Sequence, residues 1–211
     1  MKKTILIISF LTLSLYGSAQ SILPKQSVSV GFSANLNKDI TLLSMPIIYS
    51  HQIAGIPNLR YLLGVRQNLI FGQADFKINN QDALIDDLSN YFINIMGGIE
   101  FISNQNLLIG FNIDLLGGTI GTRSYKSVGK DPVYFISPES FNVMLGGDND
   151  KGSLHSEFYL GYRLNEQLTL KAGLAHFRLG LNYTSNIINQ TSTHIFLNSP
   201  FVNIQYTLWQ K

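Results

Sequence analysis

From residue 27 onward, apolar side chains alternate with small or polar ones in stretches of about ten residues, and no stretch sustains an amphipathic helical spacing. Between Ser27 and Asn35, Val28, Val30, Phe32 and Ala34 fall on one side and Ser27, Ser29, Gly31, Ser33 and Asn35 on the other, because successive strand side chains face opposite ways. The pattern predicts eight strands, at residues 27–37, 41–51, 59–71, 89–102, 107–121, 153–164, 168–183 and 197–209. Two places break the rhythm. Leu168, Leu170, Ala172 and Leu174 share one face, whereas Phe177, Leu179, Leu181 and Tyr183 continue on the other. A β-bulge near Ala175 and His176 would keep all of them on a single side. Pro46 would remove a ladder donor from the second strand.

The links between strands come in two lengths. Gln52 to Asn58, Ser103 to Asn106 and Asn165 to Gln167 are short. Gly72 to Leu88, Thr122 to Gly152 and Thr184 to Phe196 are long, with Lys38 to Ile40 a short exception on their side. An all-β, eight-stranded antiparallel up-and-down transmembrane β-barrel has this plan, with turns in the periplasm and loops outside.

Composition supports a wall that faces lipid. Only 13% of the residues are charged, against about 25% in soluble domains. The 18 glycines, 13 phenylalanines and 10 tyrosines also exclude a disordered chain, a coiled coil or a basic nucleic-acid binder. The polar faces read Gly110, Asn112 and Asp114; His155, Glu157, Tyr159, Gly161 and Arg163; and Arg60, Gly64, Arg66 and Asn68. They lack the lysines of a water-exposed sheet. The opposite faces are apolar, as in Leu107, Ile109, Phe111, Ile113 and Leu115. Tyr49, Tyr61, Phe71, Tyr91, Phe101, Tyr183, Tyr206 and Trp209 gather near strand ends, where interfacial girdles belong.

The N-terminus reads as a secretory signal: Lys2 and Lys3, an apolar run from Thr4 to Tyr16, and small residues Gly17, Ser18 and Ala19. The run is shorter than the ~20 residues that a spanning helix needs. This predicts a signal peptide at residues 1–19, cleaved after Ala19, and a barrel domain at residues 20–211. The formal charge of +2 disappears with Lys2 and Lys3, leaving 13 basic and 13 acidic residues. The lack of cysteine excludes disulfides, thiolate metal sites, cysteine nucleophiles and a lipidated cysteine.

The signal, the eight-stranded meander and the closing segment Phe201 to Trp209, with Val202, Ile204, Tyr206 and Leu208 alternating, resemble the small outer-membrane β-barrel proteins of Gram-negative bacteria. Gly110 to Gly118 (GFNIDLLGG) and Leu145 to Tyr159 (LGGDNDKGSLHSEFY) resemble segments of uncharacterised barrels of this type. Such barrels commonly end in an aromatic residue, whereas here Trp209 is followed by Gln210 and Lys211. The resemblance implies an outer-membrane location, contact with outer-membrane lipid and lipopolysaccharide, handling by the barrel assembly machinery, and a monomer. It implies no cofactor and no nucleic-acid partner.

Candidate chemistry is sparse. Arg60, Arg66, Glu100, Asp114, Glu157, Arg163, Lys171 and Arg178 are assigned to the inward face. An eight-stranded barrel is only wide enough for side chains to fill, so these charges are expected to pair as a structural polar core. His155, Ser156 and Glu157 have the residue types of a hydrolase triad, but strand neighbours face opposite sides and cannot form one together. His176 with a remote serine is the arrangement left open. Asp148, Asp150 and Gly152 depart from the EF-hand pattern and read as turn chemistry. Tyr134, Phe135, Phe141, Val143 and Met144 make the 122–152 segment unusually apolar, as strand extensions or a cap over the barrel mouth would be. His51 and His194 receive no role. No catalytic, cofactor-binding or metal residue is assigned. The expectation is a non-enzymatic barrel with a structural or surface-recognition role through its outer loops. The alternatives are a membrane-embedded lipid-modifying enzyme of the acyl hydrolase type and a narrow channel.

Overall fold

The computed structural model describes residues 24–35, 37, 39–78, 81–103, 106–120, 125–126, 135–184 and 191–211. The predicted signal at 1–19 lies outside them. In chain order the strands are β1 (Gln26–Asn35), β2 (Ile40–Gln52), β3 (Leu59–Ile78), β4 (Gln81–Ile102), β5 (Leu107–Ile120), β6 (Tyr125–Lys126), β7 (Phe135–Pro138), β8 (Phe141–Val143), β9 (Leu154–Arg163), β10 (Leu168–Thr184) and β11 (Thr191–Gln210). Antiparallel pairing runs β1-β2-β3-β4-β5-β9-β10-β11. It closes where Val28 meets Trp209 and Asn35 meets Phe201 across β1 and β11. The result is an eight-stranded antiparallel β-barrel closed between its first and last strands. Both described termini and the three tight turns share one end, called here the turn end; the longer connections share the loop end.

The strand pattern continues into two segments expected to be loops. β3 and β4 pair as far as Ile78 opposite Gln81, past an irregularity between Gly72 and Ala74. Ala74, Ile85 and Leu88 are buried there, the irregularity taking up the three-residue step from Ile85 to Leu88 so that both face inward. β11 likewise begins at Thr191, and Thr191 to Ile195 pair with β10. The segment 122–152 builds strand too. β7 pairs with the loop end of β10, from Leu181 opposite Pro138 to Thr184 opposite Phe135. β8 pairs with β5, from Leu116 opposite Val143 to Gly118 opposite Phe141. Because β9 starts only at Leu154, these short strands occupy the place above it in the wall.

β10 carries no bulge. Its register with β9 and with β11 is unbroken. The parity of its apolar residues changes because their surroundings change. Leu170, Ala172 and Leu174 point out, whereas Phe177, Leu179, Leu181 and Tyr183 point into a dry plug with Leu42, Ile70, Phe92, Ile136 and Ile195. Tyr183 is therefore core and not girdle. The register shift sits between Ile95 and Met96 of β4 and skips Leu115 of β5, which turns Asp114 inward and Leu116 outward. Pro46 interrupts pairing between β1 and β2, which lapses from Val30 opposite Ile47 to Ser33 opposite Ser44. Gly31 faces this gap: a Cβ there would lie 3.1 Å from Pro46 Cγ.

Candidate functional site

Two polar clusters share β9 and sit on opposite sides of the wall. The inner one centres on Arg66. Its Nη1 lies 3.3 Å from Asp114 Oδ1, and its Nη2 lies 3.3 Å from Glu157 Oε2. Arg66 also donates to Asn112 Oδ1 and to the backbone oxygen of His155. Asn94 Nδ2 donates to Asp114 Oδ2 at 2.7 Å, and the His155 backbone N–H reaches the same oxygen at 3.1 Å. Asn112 Nδ2 donates to Glu157 Oε2 at 3.0 Å. Asn68 joins through His155 Nδ1 and through the Ser44 hydroxyl, which donates to its Oδ1 at 2.6 Å. Arg66, Asp114, Asn94 and His155 are fully buried.

A second inner group lies toward the turn end. Lys171 Nζ is 2.8 Å from Glu100 Oε2, and the Tyr159 hydroxyl donates to that oxygen at 3.0 Å. Lys171 also sits 4.3 Å over the Tyr159 ring. The ring lies across Gly110, where a Cβ would come 2.5 Å from Tyr159 Cζ, so Gly110 makes the space that the ring fills. Arg60 donates to the Pro24 carbonyl at 2.8 Å. Arg163 joins Arg60, Glu100 and Lys171 around a cavity of ≈ 20 Å³, about enough for one water molecule. Between this group and the apolar plug stands the buried Arg66 cluster.

Arg178 lies elsewhere. It pairs with Leu154 and with Phe196, on the parity opposite to buried Phe177, and so sits on the outer wall. The 144–150 segment covers it there: Nη1 is 3.9 Å from Asp150 Oδ2, and Nη2 donates to His194 Nε2. Its Nε is buried with no hydrogen-bond partner among the described residues. Asp150 also accepts from the backbone N–H groups of Leu145 and Gly146, both at 2.7 Å, and so organises the turn.

One register row below Arg178 is a feature that period-two reading misses. Ser156 is the direct cross-strand partner of His176, and His176 is the direct partner of Asn198. Three polar side chains thus line up across β9, β10 and β11 on the outward face, while His155 and Glu157 on either side of Ser156 point inward. His176 Nδ1 donates to Asn198 Oδ1 at 2.6 Å, and the imidazole stacks on Phe196 at 5.7 Å between centroids. The Ser156 hydroxyl is 3.5 Å from the His176 backbone oxygen. Two outer-wall cavities meet at Ser156 and His176. The one toward the loop end is ≈ 570 Å³ and includes Arg178, His194, Asp150 and Met144 in its lining. The other, of ≈ 390 Å³, runs between Phe111, Phe158, Leu174 and Pro200. Among the described residues no group of His, Asp and Glu is arranged to hold a metal ion.

No family model matches the chain, and no curated protein matches it. Among solved structures it is similar to one described as the "CymD monoaromatic hydrocarbon channel", with 6% identity over 87% of this chain and 88% of that chain, and a TM-score of 0.24. A likeness at that level carries no argument about this chain, whose fold rests on its own strand pairing.

Proposed function

We propose that this chain is an outer-membrane β-barrel with a closed lumen, acting at its outer wall and loop end and not as a pore. The observation that carries this is its inverted polarity. All eight barrel strands present large exposed apolar side chains, among them Phe32, Ile47, Leu63, Ile99, Phe111, Leu160, Leu174 and Ile204, while Arg66, Asp114, Glu157, Glu100 and Lys171 are buried inside. Moving one such side chain from water to an apolar medium is worth about 1.5–3 kcal/mol. Summed over the wall this exceeds the ~5–15 kcal/mol net stability of a typical domain. Lipid is the solvent that suits such a wall. The predicted secretory signal supports the outer membrane as its location, and the turn end as the periplasmic side. Closure of the eight barrel strands supports a monomer, because each of them already has a neighbour on both sides.

The paired charges, the dry plug at the loop end and the small cavity at the turn end support a structural role for the lumen network. The test is reconstitution in planar bilayers. Conductance is expected at baseline, in a protein that fractionates with the outer membrane and shifts its gel mobility on heating. A stable ion-selective channel would overturn the closed-lumen reading, and fractionation elsewhere would overturn the location.

A further inference from the structure

We infer that the outer-wall row Ser156, His176 and Asn198 is a serine hydrolase site for ester-linked acyl chains of membrane lipids. The inference uses the lipid-facing wall proposed above and adds a chemical activity to it. Polar side chains on a lipid-facing wall are costly, and when they occur there they call for partners or a task. Here three of them form one row, bordered by Phe111, Phe158, Leu174, Phe196 and Pro200.

The row has the order that nucleophilic catalysis requires. Directly paired residues on one face of a sheet hold their Cβ atoms about 4.5–5.5 Å apart, which brings the Ser156 hydroxyl within reach of the imidazole by side-chain rotation. The hydroxyl now makes only a long contact to a backbone oxygen, a geometry that tightens when substrate displaces it. The amide oxygen of Asn198 only accepts, so His176 Nδ1 carries the hydrogen and Nε2 is left as the free base. Stacking on Phe196 holds the ring plane. His176 follows Leu168, the first residue of β10, by eight positions. On a tilted strand that is about 20 Å along the barrel axis, within an apolar band of about 25 Å. Measured from the turn end of β10, the row therefore falls in the loop-side half of such a band.

The two cavities define the substrate class. The turn-side groove is apolar and opens along the wall, as an acyl chain demands. The loop-side cavity is lined by Arg178, His194 and Asp150, a mixed polar end that suits a lipid head group. A lipid lying along the wall would then place its ester at Ser156. Ser156 Oγ attacks the ester carbonyl carbon and gives its proton to His176 Nε2. The bond from that carbon to the alcohol oxygen breaks, and His176 passes the proton to the departing alcohol. Water then attacks the Ser156 acyl ester, its proton returns through His176 to Ser156 Oγ, and a fatty acid leaves. Ester plus water becomes alcohol plus acid, with no oxidant, reductant or metal required.

The full-length protein, refolded in mixed micelles, is incubated separately with dipalmitoyl phosphatidylethanolamine and with lipopolysaccharide, and free fatty acid is measured by mass spectrometry. A fluorophosphonate probe reports on the nucleophile without reference to substrate. Fatty-acid release from one or both lipids is expected, and the lipid that yields it identifies the source of the ester. A probe adduct is expected on Ser156. Ser156→Ala and His176→Ala should each lower release at least about 1,000-fold. Asn198 is a positioning residue: Asn198→Ala should cost about tenfold or more, and Asn198→Asp should restore turnover. Release that persists in Ser156→Ala, or no release and no adduct, would overturn the site; an adduct without release from either lipid would overturn the substrate class. Any of these leaves the closed-lumen reading standing, because conductance tests that reading separately.

Discussion

The inner cluster around Arg66 and the outer row of Ser156, His176 and Asn198 are one residue apart in sequence, Glu157 facing one and Ser156 the other. Inside, carboxylates, amides and the guanidinium bond to one another, with Arg66 Nε and His155 Nε2 left without a hydrogen-bond partner among the described residues, and the cluster is shut off from solvent. Outside, His176 uses one nitrogen and leaves the other open, Ser156 makes one weak contact, and cavities adjoin both. Polar groups enclosed in the ring can act only on one another, whereas those beside a cavity can act on a ligand. The same strand supplies both because its side chains alternate.

Substitutions that strike each side should separate these two kinds of polarity. The largest loss of stability is expected for Arg66→Met, which leaves Asp114 and Glu157 buried without their cation. Breaking a buried pair in this way costs about 3–5 kcal/mol, measured as a lower urea midpoint in micelles. Replacing Arg66, Asp114 and Glu157 together by apolar residues of similar size should recover most of that loss. Phe177→Ala should follow closely, at about 3–4 kcal/mol, because the ring packs on Phe92 within the plug. A side chain facing lipid at that position would cost far less, so a small effect would contradict the unbroken register of β10.

Gly110→Ala should come next, at about 1–3 kcal/mol, since the added methyl must displace the Tyr159 ring and with it the contacts to Glu100 and Lys171. Smallest of all is Ser156→Ala, expected within about 0.5 kcal/mol of the parent, because the hydroxyl holds nothing together. If Ser156→Ala instead destabilised the barrel as Arg66→Met does, the outer row would be a second structural cluster and the contrast between the two sides would vanish.

Period-two alternation was sufficient to locate the eight barrel strands, because one face of each must meet lipid and the other the interior. It was weaker wherever the environment changed along a strand. The change of apolar parity at Phe177 resembles a slipped register in sequence, yet it marks the level at which the interior turns from polar to apolar. Tyr183 and Arg178 were assigned to the wrong sides for that reason: the plug draws the tyrosine in, and the 144–150 segment shelters the arginine on the outer wall. The extensions of β3 and β4 carry Gln73, Asp75, Asp86 and Asp87 and so read as loop, but Ala74, Ile85 and Leu88 are buried among them, with a register irregularity bringing Ile85 and Leu88 to the same side.

The chain's order of residues was enough to specify an eight-stranded barrel with a greasy outer face and a charged interior, since both follow from local alternation and the scarcity of charge. Pairings between distant strands were beyond its reach. Ser156, His176 and Asn198 are separated by 20 and 22 positions, and they meet because ring closure and strand stagger set which residue stands opposite which. A shift of one residue in that register would turn the row away from its partners. The same long-range geometry gathered Arg66, Asp114 and Glu157 inside, so the composition of the interior was readable in advance, whereas its connections came from the folded ring.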